Sequence, residues 1–131
     1  MAGFNLDAKL AQDTIFLKDL ELSRLLLMND SNYPWLILVP RKEHISELFE
    51  LSVEEQNTLM SEISMVSKIM KKEFVPDKIN VATLGNIVKQ LHVHIIVRFK
   101  HDPVWPDPVW GKRTAITYNL SQITKLKQIF Y

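Results

Sequence analysis

Gln90-Leu91-His92-Val93-His94-Ile95-Ile96 sets three polar side chains at every second position of an otherwise apolar run. In a strand, residues i, i+2 and i+4 point to one face. The pattern therefore predicts Gln90, His92 and His94 on one face, with Leu91, Val93 and Ile95 on the other and Val97 continuing the buried row. The two imidazoles would stand about 6.6 Å apart along the strand, a spacing that lets them flank one phosphate group. An isolated strand histidine is more often a satisfied structural residue. Two of them with a glutamine, behind a Gly85-Asn86 bend, favour a site.

The chemistry that suits these residues is attack on phosphorus. Imidazole has an ordinary pKa of about 6.5 and is largely neutral at pH 7, so it needs no strong base to become a nucleophile. Attack by His92 on an α-phosphate would expel the rest of the ester or anhydride and leave a nucleotidyl-imidazole that water could cleave. His94 could orient or protonate the leaving side, or donate to the phosphate. Gly85 allows close backbone approach and the Asn86 amide offers a donor, whereas Gln90 can donate or accept but cannot shuttle a proton. Arg41 and Arg98 are candidates for the distal phosphates of a longer substrate, although such residues more often serve as ion-pair partners.

Several elements must position these groups. Residues 14–19 and 22–28 read as two strands, and Pro34 to Val39 as a third. Trp35-Leu36-Ile37-Leu38-Val39 has no polar alternation and should be buried on both faces. Ser52-Val53-Glu54-Glu55 is a capping-box signature that opens a helix running to about Phe74, with Leu59, Ile63, Val66 and Met70 recurring at three and four residues and Pro76 stopping it. Met60, Met65 and Met70 read as core filling. Lys78 to Leu84 is a short strand and Val88 to Phe99 the strand carrying the histidines. His101 to Gly111, with its prolines and tryptophans, should be ordered but irregular, and Ser121 to Tyr131 a terminal helix. The sum is a single α+β domain over 1–131, a sheet with helices on one side.

Composition narrows the classes of function. The chain has 131 residues, 16 Lys and Arg against 15 Asp and Glu, and no cysteine. A near-zero balance gives no reason to expect a nucleic-acid partner, and Lys68, Lys71 and Lys72 read as a solvated helix end. Zero cysteines remove disulfides, thiolate nucleophiles and cysteine zinc sites, which fits a cytoplasmic protein. Neither a secretory leader nor a membrane span is expected.

Gln90 to Ile96 resembles the histidine-triad (HIT) signature, His-φ-His-φ-His-φ-φ with φ apolar, with glutamine at its first position. The resemblance runs from about Asp13 to Arg98. It takes in Leu27-Met28-Asn29-Asp30, similar to the family's ribose-contacting segment, Pro34 to Arg41 followed by His44-Ile45, similar to its central strand and the turn after it, and Gly85-Asn86, similar to the Gly-Gln before the triad strand. It implies an antiparallel sheet of about five strands with a long helix and a C-terminal helix packed on it, commonly a homodimer. It also implies a hydrolase or transferase acting on a nucleotide, a dinucleoside polyphosphate for example. On that basis His92 matches the nucleophile, His94 the last histidine, Asn29 the ribose contact and Asn86 the polar group near the phosphate.

The candidate catalytic residues are thus His92, His94 and Gln90, and the candidate substrate contacts are Asn29, Gly85, Asn86, Arg41 and Arg98. No cofactor is called for, except a divalent cation with a polyphosphate substrate. Trp35 stands where some branches of the family carry another histidine, and Trp105 to Gly111 has no counterpart. Two other readings compete: a nucleotide-binding module without turnover, for which Gln90 is the best argument, and a metal site built on His92 and His94 with His101 or Asp102 as third ligand.

Overall fold

The apolar run of residues 35–39 lies at the middle of the molecule because both faces of its sheet are covered. The computed structural model describes residues 3–131. In chain order these form α1 (Ala8–Asp13), β1 (Thr14–Asp19), β2 (Ser23–Met28), β3 (Trp35–Pro40), a 3₁₀ turn (Leu48–Glu50), α2 (Val53–Phe74), β4 (Lys78–Ala82), β5 (Val93–Arg98) and α3 (Leu120–Gln128). The strands make one five-stranded sheet in the order β1-β2-β3-β5-β4, each neighbouring pair antiparallel. This is the α+β class expected from the sequence, but the helices do not keep to one side of the sheet as expected, because Leu10 of α1 packs on the face opposite α2. No helix among the described residues is long and apolar enough to cross a membrane.

Strand alternation sorts the core into two layers. Leu25 and Leu27 of β2, Leu36 and Leu38 of β3, and Val93, Ile95 and Val97 of β5 pack with Leu59, Val66 and Met70 of α2 and with Phe130 just beyond α3. On the opposite face Leu26, Trp35, Ile37, Val39 and Ile96 meet Leu10 of α1, Tyr33, Val88 and Val109. Each such buried side chain contributes about 1.5–3 kcal/mol relative to exposure. Helices therefore cover both faces, with α2 and α3 on one and α1 on the other. The six residues of α1 bury only Leu10, which is too little periodicity to announce a helix in the sequence.

The capping box of α2 is formed: the Ser52 hydroxyl accepts from the Glu55 amide at 3.1 Å, and the Glu55 carboxylate accepts from the Ser52 amide at 2.8 Å. The methionines depart from expectation. Met70 is fully buried, but Met60 and Met65 are exposed on the outer side of α2. A spacing of five residues turns about 140° around a helix, so the three cannot share a face.

The histidine strand is also shorter than its apolar alternation suggests, and begins at Val93 rather than Val88. Pairing with β3 starts at Leu38 opposite Val93, and pairing with β4 ends at Ala82 opposite His94. Beyond Val39 the neighbour is Pro40, which has no N–H to continue a ladder. Residues 88–92 instead form irregular chain, anchored where the Leu91 amide donates to the Ile45 carbonyl at 2.8 Å.

The segment after β5 is ordered by one carboxylate. Asp102 accepts from Arg98 Nε at 2.8 Å and Nη2 at 3.1 Å, and from the amides of Phe99, Val104 and Trp105. Arg98 also donates to Asn80 at 2.9 Å and is almost fully buried. Desolvation raises the Asp102 carboxyl, but Arg98 and the three amides outweigh it and hold its pKa at about 2. Removing one partner of a buried pair strands the other charge. Asp102→Ala should therefore lower the unfolding free energy by about 3–5 kcal/mol, measured by denaturant titration; a loss under about 1 kcal/mol, the range of an exposed pair, would contradict this role.

Candidate active site

β5 carries His94 onto the face of Trp35 and Ile96, and the irregular chain just before it supplies His92. Trp35 lies on the adjacent strand, and its indole N–H donates to His94 Nδ1 at 3.0 Å. Since Nδ1 accepts, the proton of a neutral His94 must sit on Nε2. Burial, and secondarily the neighbouring His92, push the His94 pKa down to about 3. His94 is therefore a neutral donor at physiological pH.

His92 has the opposite tautomer. Its Nδ1 lies 2.7 Å from the Gln90 carbonyl oxygen. A carbonyl can only accept, so Nδ1 carries a proton, and in the neutral ring Nε2 is then the nitrogen with the lone pair. The rings of His92 and His94 are 4.8 Å apart at 72°. This is closer than strand spacing alone gives, because His92 precedes the regular strand and its ring is turned by the bond to Gln90. The site thus sets a nucleophile-type nitrogen beside a donor-type nitrogen.

The two histidines line a cleft of roughly 260 Å³. Lys9, Leu10 and Asp13 of α1 form one wall with Met28, residues 84–88 form another, and Trp35 and Trp110 complete it. Trp110 meets His94 edge-on at 5.1 Å and Trp35 at 5.9 Å. The Trp105 to Gly111 segment therefore closes onto the site. Lys9 and Asp13 pair with each other at 3.0 Å across one helical turn. Gly85 adopts φ +77°, a conformation that favours glycine, and a Cβ there would meet only the Val88 carbonyl oxygen at 3.7 Å. Backbone angle, rather than space, is what requires glycine.

Of the residues singled out from the sequence, His92, His94, Gly85 and Asn86 come together around this cleft. The other four lie elsewhere. The Asn29 side-chain carbonyl accepts from the Tyr118 amide at 2.9 Å, while Met28 before it faces the cleft. Arg41 pairs with Asp19 at 3.2 Å and donates to the Glu21 carbonyl. Arg98 is held by Asp102 and Asn80. The Gln90 amide reaches the N-terminal segment, accepting from Asp7 and donating to Asn5. All four placements have the same physical reason: the side chain is engaged by a structural partner that the one-dimensional pattern does not display.

The metal alternative loses its third ligand. Asp102 is committed to Arg98, His101 stacks on Phe99 at 4.8 Å, and among the described residues no group of three His, Asp or Glu side chains could hold a metal ion. Lys9, Leu10, Asp13 and Trp110 are pocket residues that the sequence pattern did not reveal. Asp7 capping a turn that exposes Lys9 and Asp13 was the one signal for the first three.

A family model described as HIT domain matches residues 9–101. A histidine triad protein from Marinobacter aquaeolei VT8 is 47% identical, with 97% of this chain and 93% of that one covered and a TM-score of 0.94. One from Bradyrhizobium japonicum is 43% identical, with 96% and 94% covered and a TM-score of 0.94. A third, from Sinorhizobium meliloti 1021, is 43% identical, with 98% and 96% covered and a TM-score of 0.96. No curated protein matches the chain.

The tautomers and the depressed pKa are directly measurable. Nitrogen-15 NMR at pH 5 should show His94 still neutral and protonated on Nε2, and Trp35→Phe should remove that tautomer preference; a charged His94 at pH 5 would contradict the assignment. Unfolded, His94 takes up a proton near its ordinary pKa of about 6.5, whereas folded it does so near 3. The unfolded state binds more protons between those values, so stability should fall as pH drops from about 6.5 toward 3, and His94→Gln should flatten that slope in pH-dependent unfolding.

Proposed function

The chain belongs to the histidine-triad family, and from that premise we propose that it is a nucleotide hydrolase or transferase that breaks a nucleoside 5′-phosphoryl bond through a nucleotidyl intermediate on His92. The observation that carries this reading is the pair of opposed tautomers. His92 Nε2 has a lone pair at the cleft, while His94 Nε2 has a hydrogen to donate.

In the first step a P–N bond forms between His92 Nε2 and the α-phosphorus, and the bond from phosphorus to the leaving group breaks. The Gln90 carbonyl accepts from His92 Nδ1–H and stabilises the positive charge that develops on the ring. His94 donates a hydrogen bond at the phosphate or the leaving atom. Its pKa of about 3 makes it a poor carrier of a second proton at pH 7. The leaving group therefore has to depart as a stable anion or take its proton from solvent. In the second step water attacks phosphorus, the P–N bond breaks, a proton is released, and the nucleoside monophosphate and free His92 are regenerated.

Asn86 and the amides around Gly85 are the donors within reach of the non-bridging oxygens, and the apolar walls from Leu10, Met28 and Ile87 suit a nucleobase. Dinucleoside polyphosphates and nucleoside phosphoramidates are the substrate classes to compare. The chemistry needs no cofactor, with a divalent cation accompanying a polyphosphate substrate. A homodimer is part of the same reading, and the exposed Met60 and Met65 on α2 offer it apolar contact area. The one feature that favours a binding module without turnover is Gln90, whose side chain is spent away from the cleft.

His92→Ala separates these outcomes. Turnover of adenosine 5′-phosphoramidate should fall about 10³-fold or more while AMP affinity changes by less than about tenfold, since the ring makes a bond to phosphorus only during reaction. Turnover near the parent rate would remove His92 from the nucleophile role. Tight AMP binding by a parent protein that turns over neither substrate class would establish the binding module.

A further inference from the structure

The first triad position has a function here that lies outside the cleft. The Gln90 side chain accepts from the Asp7 amide at 2.8 Å and donates to the Asn5 carbonyl at 2.9 Å, so both ends of the carboxamide bind one stretch of backbone more than eighty residues away in sequence. Asp7 is the N-cap of α1, its carboxylate accepting from the Lys9 amide at 2.8 Å and the Leu10 amide at 3.3 Å. α1 in turn supplies Lys9, Leu10 and Asp13 to the cleft wall.

We propose that Gln90 is a positioning residue that fastens the N-terminal segment against the triad loop and thereby sets the nucleotide-binding wall, without itself touching the reacting atoms. Three observations support it. A helix of six residues cannot persist alone in water, so α1 depends on its cap and on anchors such as the burial of Leu10. Gln90 adds attachments at the cap residue itself and two residues before it. The carboxamide is suited to it, because one donor and one acceptor on a single planar group match an amide and a carbonyl of the same chain.

The backbone of the same residue holds the nucleophile, through the Gln90 carbonyl and His92 Nδ1. Gln90 thus joins the two halves of the site: the main chain orients His92, and the side chain holds the wall against which a nucleoside would lie. Substituting the side chain leaves the carbonyl in place, so the two roles can be separated by mutation. The kinetic part of the inference rests on the proposed hydrolase or transferase activity; the structural part does not.

Gln90→Leu removes both bonds, and Gln90→Glu keeps the acceptor for Asp7 while losing the donor to Asn5. Two readouts apply to each: hydrogen exchange of the amides in residues 7–13, and kcat and KM with adenosine 5′-phosphoramidate, with AMP affinity measured alongside. For Gln90→Leu, exchange in residues 7–13 should accelerate about tenfold or more and KM should rise about tenfold with kcat within about threefold of the parent, while amides of β3 and β5 keep their protection and show the fold intact. Gln90→Glu should retain the Asp7 protection and lose less affinity. A large fall in kcat at unchanged KM would place Gln90 on the reacting atoms and overturn the proposal, as would unchanged exchange in residues 7–13. If the parent shows no turnover, the activity reading fails by itself, and exchange with AMP affinity still decides the role of Gln90.

Discussion

β5 is an interior strand, paired on both sides and buried on both faces, and every polar side chain it carries must find a partner inside the protein. An unpaired polar group in such a place costs on the order of 1–3 kcal/mol, and an unpaired charge more. Val93, Ile95 and Val97 meet the constraint by being apolar and packing beneath α2. His94 and Arg98 stand on the other face, where Trp35 satisfies the first and Asp102 with Asn80 the second. Each partnership determines something beyond itself. Trp35 fixes the tautomer of His94, and Asp102, drawn in by Arg98, folds the chain that brings Trp110 back over the histidines.

The same burial divides labour between two side chains of identical chemistry. His94 is desolvated and accepts from an indole, which keeps it neutral with its remaining proton aimed outward from Nε2. His92 sits one step before the strand, where the irregular backbone lets Nδ1 donate to the Gln90 carbonyl. In their neutral forms one ring thereby offers a donor and the other a lone pair, with no third imidazole required to set either tautomer. Local backbone and one tryptophan do the work that a further histidine could otherwise do.

Much of this was legible in the sequence. The capping box of α2, the two-sided burial of residues 35–39, the parity of residues 91–97 and the Gly85-Asn86 bend all depend on local pattern, and local pattern survives folding. What was not legible depended on long-range pairing. Gln90 shares the period-two pattern of the histidines, yet its amide is captured by residues 5–7 and turned away from the cleft. Arg41 and Arg98 were candidates for distal phosphates, with ion pairing the commoner role for such residues, and each has a carboxylate partner, half-exposed Asp19 for Arg41 and buried Asp102 for Arg98. Asn29 was expected at the ribose and is engaged by Tyr118. The strand start at Val93 was hidden because Leu91 and Val88 are apolar and buried although outside the ladder. For these side chains the residue type was read correctly, and what redirected each was a partner that ranges from four residues away for Arg98 to more than eighty for Asn29 and Gln90.

The central claim is that His92 becomes covalently bonded to phosphorus, and intact-protein mass spectrometry tests it most directly. The protein would be mixed briefly with adenosine 5′-phosphoramidate or diadenosine tetraphosphate, quenched without acid, and the modified peptide mapped. The account predicts a transient adenylyl adduct on the peptide containing His92 that appears and decays on the timescale of turnover. Product formation with no adduct at any time in the early phase, or an adduct on another residue, would contradict it.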